Sequence, residues 1–201
     1  MLHAHPNSAS TKRTEAVGIA PISRNTVDDI IQQSIIRLLH AHQFEDVLAL
    51  FDKYHELIHV TDEEGADAVR YAIQVNNADV IERLAIRGAD LNRKDAQGWT
   101  PVMEAAHQGF SNVLKVLISH GADMNAKTPF GWTPVQLALM QGHSDAALFL
   151  IHAGAELRDG PMPGLHAIDL LDNMALDPEV ARLAREKARL LDVLTSINIM
   201  S

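Results

Sequence analysis

A regular internal repeat constrains this chain more than any other feature of its sequence. The string Gly-Trp-Thr-Pro-Val occupies residues 98–102 and returns, at a period of 33, at residues 131–135. A second landmark, Gly-Ala followed by an acidic residue, recurs at the same interval, at residues 88–90, 121–123 and 154–156. A unit repeated at such a period cannot bury its own apolar face and must stack on its neighbours. The sequence therefore predicts a linear array of short units that share one continuous core.

The best-defined unit spans residues 95–127 and contains the signals for two helices and a loop. Thr100 is suited to cap the first helix, and Pro101 suits the first helical position, where its missing N–H costs nothing. Gly109 is expected to end this helix. Gly121 suits the left-handed conformation that ends the second helix. The second helix itself is predicted from an apolar stripe made of Val113, Leu114, Val116, Leu117 and Ile118.

This unit resembles an ankyrin repeat, whose pattern includes G-x-T-P-L-H-x-A-A and G-A-D-x-N and whose period is 33. The resemblance implies an all-α ankyrin-repeat solenoid of about five repeats, including diverged capping repeats. We predict one repeat domain over residues 25–201, built from units at residues 26–60, 62–94, 95–127 and 128–160 and a C-terminal cap at 161–200. Residues 1–24 are polar and lack a sustained period, which predicts a disordered N-terminal tail.

The diverged units keep the register while losing the consensus residues. Asp67 stands where the threonine cap is expected and is still able to cap a helix. Asn76 replaces the glycine between the two helices, and asparagine also accepts left-handed geometry. The first helix of the opening unit is marked by the apolar residues Val27, Ile30, Ile31, Ile35, Leu38 and Leu39. A closing helix is predicted from Asp177 to about Ile197, with a solvated face that carries Arg182, Arg185 and Arg189.

The ankyrin resemblance also implies a surface that binds another protein. In that family the hairpin tips and the first helix of each repeat line a concave face on which partners dock. Carried over position by position, the resemblance assigns eight partner-binding residues: Gln97, Trp99, His107, Gln108, Phe130, Trp132, Met140 and Gln141. A scaffold does not itself require an exposed phenylalanine such as Phe130, whereas Trp99 and Trp132 fit a packing role equally well. The expected function is a non-catalytic protein–protein interaction module acting as an inhibitor, an immunity-type binder, a regulatory adaptor or a bacterial effector.

Composition restricts the function classes further. The formal net charge is −9, which argues against nucleic-acid binding because phosphate contacts need a basic face. The absence of cysteine excludes a disulfide framework and thiolate chemistry. No apolar run approaches the roughly 20 residues that span a bilayer, and the first residues lack the apolar core of a secretory signal peptide. We expect a cytoplasmic monomer without a cofactor. The alternative is export as an effector, because the Ser-rich N-terminus resembles type III export signals.

Two short motifs raise the alternative of metal chemistry. Residues 55–59, His-Glu-Leu-Ile-His, match H-E-x-x-H, in which two histidines hold Zn²⁺ and the glutamate is a general base. This match would make the chain a zinc-dependent hydrolase, but the chemistry needs an α-helix and a third ligand. The repeat register places His55 at a helix end and His59 in the following loop, so we expect the match to be fortuitous. Met1-Leu2-His3 has the groups for a square-planar copper or nickel site, although a histidine in third position is usually incidental.

Overall fold

The computed structural model describes residues 24–156, with side chains from residue 29 onward, and four isolated helical positions nearer the C-terminus: 178, 182, 185 and 186. Residues 24–156 form eight α-helices and one 3₁₀ helix, without a strand in that stretch. The α-helices are α1 Arg24–His40, α2 Phe44–Lys53, α3 Ala68–Gln74, α4 Ala78–Ile86, α5 Pro101–Gln108, α6 Ser111–Ser119, α7 Pro134–Met140 and α8 Ser144–Ala153, and the 3₁₀ helix is His55–His59. The all-α solenoid prediction is confirmed. The predicted tail and most of the fifth unit lie outside the described residues.

The helices form pairs that stack along the array. Within the pairs, α1 packs on α2, α3 on α4, α5 on α6 and α7 on α8. Between the pairs, the first helices α1, α3, α5 and α7 pack in one row, while α4, α6 and α8 pack in a second row. This arrangement of stacked helix pairs is the one that the repeat period predicts.

One hydrophobic core runs between the two rows. Two series of residues at equivalent positions of successive units are buried: Val47, Val80, Val113 and Ala146 in the second helices, and Ala72, Ala105 and Ala138 in the first helices. The alanines leave space for neighbouring first helices to approach, while larger side chains such as Leu114 and Leu117 fill the space between the rows. Each fully buried leucine contributes about 1.5–3 kcal/mol relative to an exposed one. The core therefore extends from unit to unit rather than closing within one unit.

The predicted capping residues begin their helices. Thr100 Oγ1 accepts the backbone N–H three residues later at 3.4 Å, and Asp67 Oδ1 accepts the equivalent N–H at 3.0 Å. In α7 the contact is reversed, because Gln136 Oε1 accepts the N–H of Thr133 at 2.9 Å. The hydroxyl of Thr133 is buried without a hydrogen-bond partner in the part of the chain that the structure describes. Each of these units thus satisfies at least one of the free N–H groups at a helix start.

Left-handed residues separate the two helices of each unit. Gly109 and Gly142 have φ values of 74° and 75°, and Asn76 adopts φ 52° at the equivalent position one unit before Gly109. The prediction that asparagine replaces the glycine in left-handed geometry is confirmed. In the opening unit, the left-handed residue is His42, at φ 53°, one position before the register predicts. In the opening unit, the turn between the two helices therefore comes one residue earlier than in the other units.

The first helix is longer than its counterparts. Helix α3 begins at Ala68, and the equivalent position one unit earlier is Ile35, whereas α1 already begins at Arg24. The extra eleven residues extend the helix by about 16 Å at 1.5 Å per residue. The predicted apolar stripe is wrong at Ile30, whose side chain is 56% exposed. Ile30 precedes the aligned start of α3, so the neighbouring first helix does not extend far enough to cover it.

Side-chain amides connect the loops of successive units. Asn92 Oδ1 accepts the N–H of Asp123 at 2.7 Å, and Asn125 Oδ1 accepts the N–H of Glu156 at 2.9 Å. Both asparagines lie in the Gly-Ala-Asp-x-Asn stretch that follows a second helix. The repeated stretch therefore has a physical role, because each copy orients the loop of the next unit.

Candidate protein-binding face

The hairpin tips border the first helices, since residues of the loops 62–66 and 95–99 line one cleft together with residues of α3 and α5. We call the surface made by the hairpin tips and the first helices the inner face. It comprises the loops 62–66, 95–99 and 128–132 together with α3, α5 and α7. In each loop, a side-chain oxygen of the first residue accepts the backbone N–H four residues later: Asp62 from Ala66 at 2.8 Å, Asp95 from Trp99 at 2.7 Å, and Thr128 from Trp132 at 3.0 Å. Because these bonds hold the loops in one shape, the two residues at each tip extend into solvent.

Five of the eight predicted binding residues are exposed on the inner face: Gln97, Gln108, Phe130, Met140 and Gln141. Phe130 is 77% exposed and Met140 is 44% exposed, both high values for apolar side chains. The helix between them, α7, has seven residues and a length of about 10 Å. Phe130 and Met140 therefore mark the two ends of the same helix rather than one compact patch.

The other three predicted residues, Trp99, His107 and Trp132, are half-buried. Trp99 meets the imidazole of His107 edge to face, with the ring centroids 5.3 Å apart. Gln141 Nε2 lies 3.0 Å from His107 Nε2, within hydrogen-bond distance. Because Gln141 belongs to the next unit, this chain of contacts joins two repeats. Trp99 and His107 thus stabilise the array as well as forming part of its inner face.

An arginine of the inner face was not predicted from the sequence. Arg70, in α3, places Nη1 3.1 Å from Asp95 Oδ2 and against Glu104 Oε2, while its Nη2 donates to the carbonyl of Trp99 at 3.1 Å. These three partners all belong to the following unit. Burial raises the pKa of Glu104, and Arg70 opposes this shift whereas Asp95 and Asp67 add to it. Arg70 is therefore the cation shared by two carboxylates of the neighbouring repeat.

Asp62, in the first of the three loops, keeps its negative charge. Tyr71 Oη donates to Asp62 Oδ2 at 2.6 Å. Burial works to raise the pKa of Asp62, but the hydrogen bonds from Tyr71 and from the N–H groups of Ala66 and Glu64 outweigh it, so the pKa is lowered. Burial and the hydrogen bond to Asp62 raise the pKa of Tyr71 in turn. Asp62 is consequently an anion at neutral pH, beside the exposed tip residues Glu63 and Glu64.

The H-E-x-x-H match lies on a 3₁₀ helix, His55–His59, and not on an α-helix. In 3₁₀ geometry, at three residues per turn, side chains four positions apart point about 120° away from each other. His55, Glu56 and His59 are exposed, while Leu57 and Ile58 are buried. Among the described residues, no three His, Cys, Asp or Glu side chains come together as metal ligands. The geometry does not support the zinc-hydrolase alternative. The Met1-Leu2-His3 motif lies outside the described residues.

Two further expectations are addressed by the described helices. None of them combines the length and apolar character that crossing a bilayer requires. Near the C-terminus, the positions of Pro178, Arg182, Arg185 and Glu186 are helical and exposed. Of these, Arg182 and Arg185 were predicted for the solvated face of the closing helix. The third arginine predicted for that face, Arg189, is not among the described positions.

The family model for ankyrin repeats (3 copies) matches residues 69–159. This stretch begins in α3 and includes α4 to α8, and it therefore contains most of the inner face described above. Comparison with curated proteins found no match. The matched repeats also carry the stacked helix pairs, the capped helix starts and the loop-connecting asparagines. Over residues 69–159, the chain thus carries repeats of the ankyrin family.

Proposed function

We propose that this chain is a non-catalytic protein-interaction module whose partner docks on the inner face with Phe130 as the main apolar anchor. Ankyrin repeats are generally protein–protein interaction modules and are typically non-enzymatic. The observation that carries the proposal is the 77% exposure of Phe130 at a hairpin tip. Burial of a phenylalanine in a partner's pocket contributes about 1.5–3 kcal/mol, so leaving it in water favours association.

The repeat register supports a functional rather than a structural origin for Phe130. The equivalent positions of the two preceding units hold Gln97 and Glu64, both polar and exposed. The same comparison holds for Met140, whose counterpart one unit earlier is His107. The fold therefore does not need an apolar residue at either position, and the fourth unit carries one at both.

The remaining predicted residues divide into two roles. Gln97, Gln108 and Gln141 are exposed amides, and each is able to donate and accept hydrogen bonds at the rim of an interface. Trp99 and Trp132 are half-buried and present only part of their rings to a partner. We therefore expect the amides to set the fit, whereas substitutions of the tryptophans reduce folding stability together with binding.

The test begins with affinity capture of the partner from native lysate, followed by mass spectrometry. The identity of the captured protein distinguishes an inhibitor or immunity-type binder from a regulatory adaptor or an exported effector. Titration by calorimetry then compares Phe130→Ala with Ile86→Ala. Ile86 is a matched control, because it is 72% exposed but lies at the end of α4, in the second row of helices.

Phe130→Ala is expected to weaken binding by about 1–3 kcal/mol, the range for an anchor residue, which is about 5- to 150-fold. Ile86→Ala is expected to leave the affinity unchanged. Both substitutions affect exposed side chains, so thermal unfolding should show both variants folded. A loss of affinity for Ile86→Ala, with none for Phe130→Ala, would place the partner on the other side of the array.

A further inference from the structure

The inner face changes its charge from one end to the other. Three equivalent stretches, each covering a hairpin tip and the first helix that follows, can be compared: residues 62–77, 95–110 and 128–143. The first stretch holds four carboxylates and one guanidinium, a net charge of −3: Asp62, Glu63, Glu64 and Asp67 against Arg70. The second holds Asp95 and Glu104, a net charge of −2, and the third has no Asp, Glu, Lys or Arg. The face therefore grades from acidic to neutral along the array.

The acidic end is accessible to a partner. Glu63 and Glu64 are exposed at a hairpin tip, and Glu64 lines two neighbouring clefts. One cleft, of about 470 Å³, lies against Gln33, Ile36, Arg37 and His40 of α1. The other, of about 410 Å³, lies against Arg70, Tyr71, Gln74, Asp95, Gln97 and Glu104. Arg70 is already shared by Asp95 and Glu104. Arg37 lines the first cleft but, among the described residues, forms no ion pair with Glu63 or Glu64, so the tip carboxylates remain available to cations from outside.

The neutral end offers apolar contact in place of charge. Phe130 and Met140 are the two large exposed apolar side chains of the stretch 128–143, at opposite ends of α7. The rest of this stretch supplies the amides of Gln136 and Gln141, of which only Gln141 is exposed. A cationic side chain finds no carboxylate partner in this stretch, whereas an aromatic or aliphatic one is able to pack on the phenyl ring.

We propose that the docking segment of the partner is basic at one end and apolar at the other, with lysine or arginine at the 62–64 tip and an aromatic or aliphatic residue at Phe130. This inference rests on the proposed function and adds the chemistry of the partner to it. Neighbouring first helices pack about 10 Å apart, so the two ends lie about 20 Å apart. An extended segment covers that distance with about six residues. The two chemistries are therefore expected about six positions apart in an extended partner.

Charge complementarity selects this occupant over others. An acidic segment at the 62–64 tip would face Glu63 and Glu64 together with the ionised Asp62, and like charges brought together are unfavourable. A wholly basic segment would leave Phe130 in water. A segment that combines both properties matches the face in only one orientation, so the gradient also fixes the direction in which the partner binds.

A selection from a random library of 16-residue peptides displayed on phage tests the proposal even before the natural partner is identified. The full chain is used as bait, together with Phe130→Ala, Glu63→Gln/Glu64→Gln, and the control Glu56→Gln/Glu82→Gln. The control changes the net charge by the same amount at residues outside the inner-face stretches. The most enriched peptide is then titrated by fluorescence anisotropy against all four proteins, at low and at high salt.

Peptides selected by the unaltered chain are expected to carry lysine or arginine on one side of an aromatic or aliphatic residue. Glu63→Gln/Glu64→Gln is expected to weaken the enriched peptide by about 3- to 10-fold at low salt, and less at high salt, because exposed ion pairs are screened. The control is expected to change its affinity less than 2-fold, or about 0.4 kcal/mol.

If the selected peptides are not enriched in basic residues, but Phe130→Ala still weakens their binding, this inference is overturned and the proposed function stays intact. The inference is also overturned if the control variant weakens the binding of basic peptides as much as Glu63→Gln/Glu64→Gln does. The attraction would then come from the overall charge of the protein. Failure to select any peptide would overturn the inference alone, because affinity capture still tests for a folded partner. Binding that ignores both inner-face variants would overturn the inference and the proposed function together.

Discussion

Replacing Arg70 with methionine removes the guanidinium that lies between Asp95 and Glu104 of the next repeat. The substitution keeps an unbranched apolar stem, and the register shows that the fold accepts it. The equivalent position in the next unit is Met103, which is fully buried. What changes is therefore the charge, together with the hydrogen bond to the carbonyl of Trp99. Two carboxylates are left facing each other without a cation.

The decrease in the free energy of unfolding expected for Arg70→Met follows from the burial of Arg70, Asp95 and Glu104. Removing one partner of a buried ion pair costs about 3–5 kcal/mol, because the remaining charge is left uncompensated. The side chains of Arg70, Asp95 and Glu104 retain 12%, 10% and 16% of their exposure, so water still reaches them. We therefore expect a value at the lower end, about 3 kcal/mol at neutral pH. With an m-value of about 2 kcal/mol/M in urea, the unfolding midpoint would fall by about 1.5 M.

The cost is also expected to depend on pH. Burial already raises the pKa of Glu104, and Arg70 is the group that opposes this shift. Without Arg70 the folded-state pKa rises further above its unfolded value. A carboxyl with a raised folded-state pKa destabilises the fold above that pKa, and the penalty shrinks as the pH falls through it. The difference in unfolding free energy between the two proteins should therefore be smaller at about pH 5 than at about pH 7.

Two further variants make the argument refutable. Arg70→Met/Glu104→Leu removes one of the two carboxylates, and leucine is the buried residue at the equivalent position 137 of the next unit. We expect this double variant to recover most of the lost stability. Arg87→Met breaks the exposed contact with Asp52 and should cost far less than Arg70→Met. The role of Arg70 as the shared counter-ion would be refuted if Arg70→Met lowers the free energy of unfolding no more than Arg87→Met does. It would also be refuted if the decrease does not change with pH.

Urea unfolding should show that Gly109→Ala lowers the free energy of unfolding more than Gly121→Ala does. Both glycines are left-handed, at φ 74° and 85°, but only a Cβ at position 109 would lie 2.6 Å from the ring of His143. Equal losses would mean that the ring moves aside freely. Gly121→Val should cost more than about 1 kcal/mol, because a β-branched residue is forced into left-handed geometry. The purified protein should contain no stoichiometric zinc by atomic absorption, and His59→Ala should leave its melting temperature unchanged. If the protein instead holds one equivalent of zinc and His59→Ala loses it, the hydrolase hypothesis is restored.

The sequence predicted those parts of the fold that depend on neighbouring residues. The helix starts at Thr100 and Asp67 follow from a side chain that reaches an N–H three residues away. The left-handed turn at Asn76 follows from the backbone preference of asparagine. Such features repeat in each unit, so the repeat period reinforces them. For the binding face, the ankyrin resemblance, carried over through the repeat register, identified Phe130 and Met140 as exposed apolar residues.

The sequence did not predict features that depend on how two units pack. Arg70 contacts Glu104, 34 residues later, and the pairing exists because α3 and α5 lie side by side. The contact between His107 and Gln141 also spans 34 residues and was missed for the same reason. A search for complementary side chains one repeat apart, allowing a shift of one residue, would have found both. The extension of α1 did leave a signal, because apolar residues from Val27 onward marked this helix, and the observed start at Arg24 lies only three residues earlier.

The asparagines that connect the loops have a consequence for how the chain is made. Asn92 and Asn125 each bond a backbone group 31 residues later, so the contacts that order a loop arise within one repeat length. A ribosome adds one repeat length in about 2–7 s. Once about three repeats have been synthesised, the emerging array has enough neighbours to be stable. We therefore expect each later repeat to dock on a surface that is already folded, with folding proceeding from the N-terminal side during synthesis.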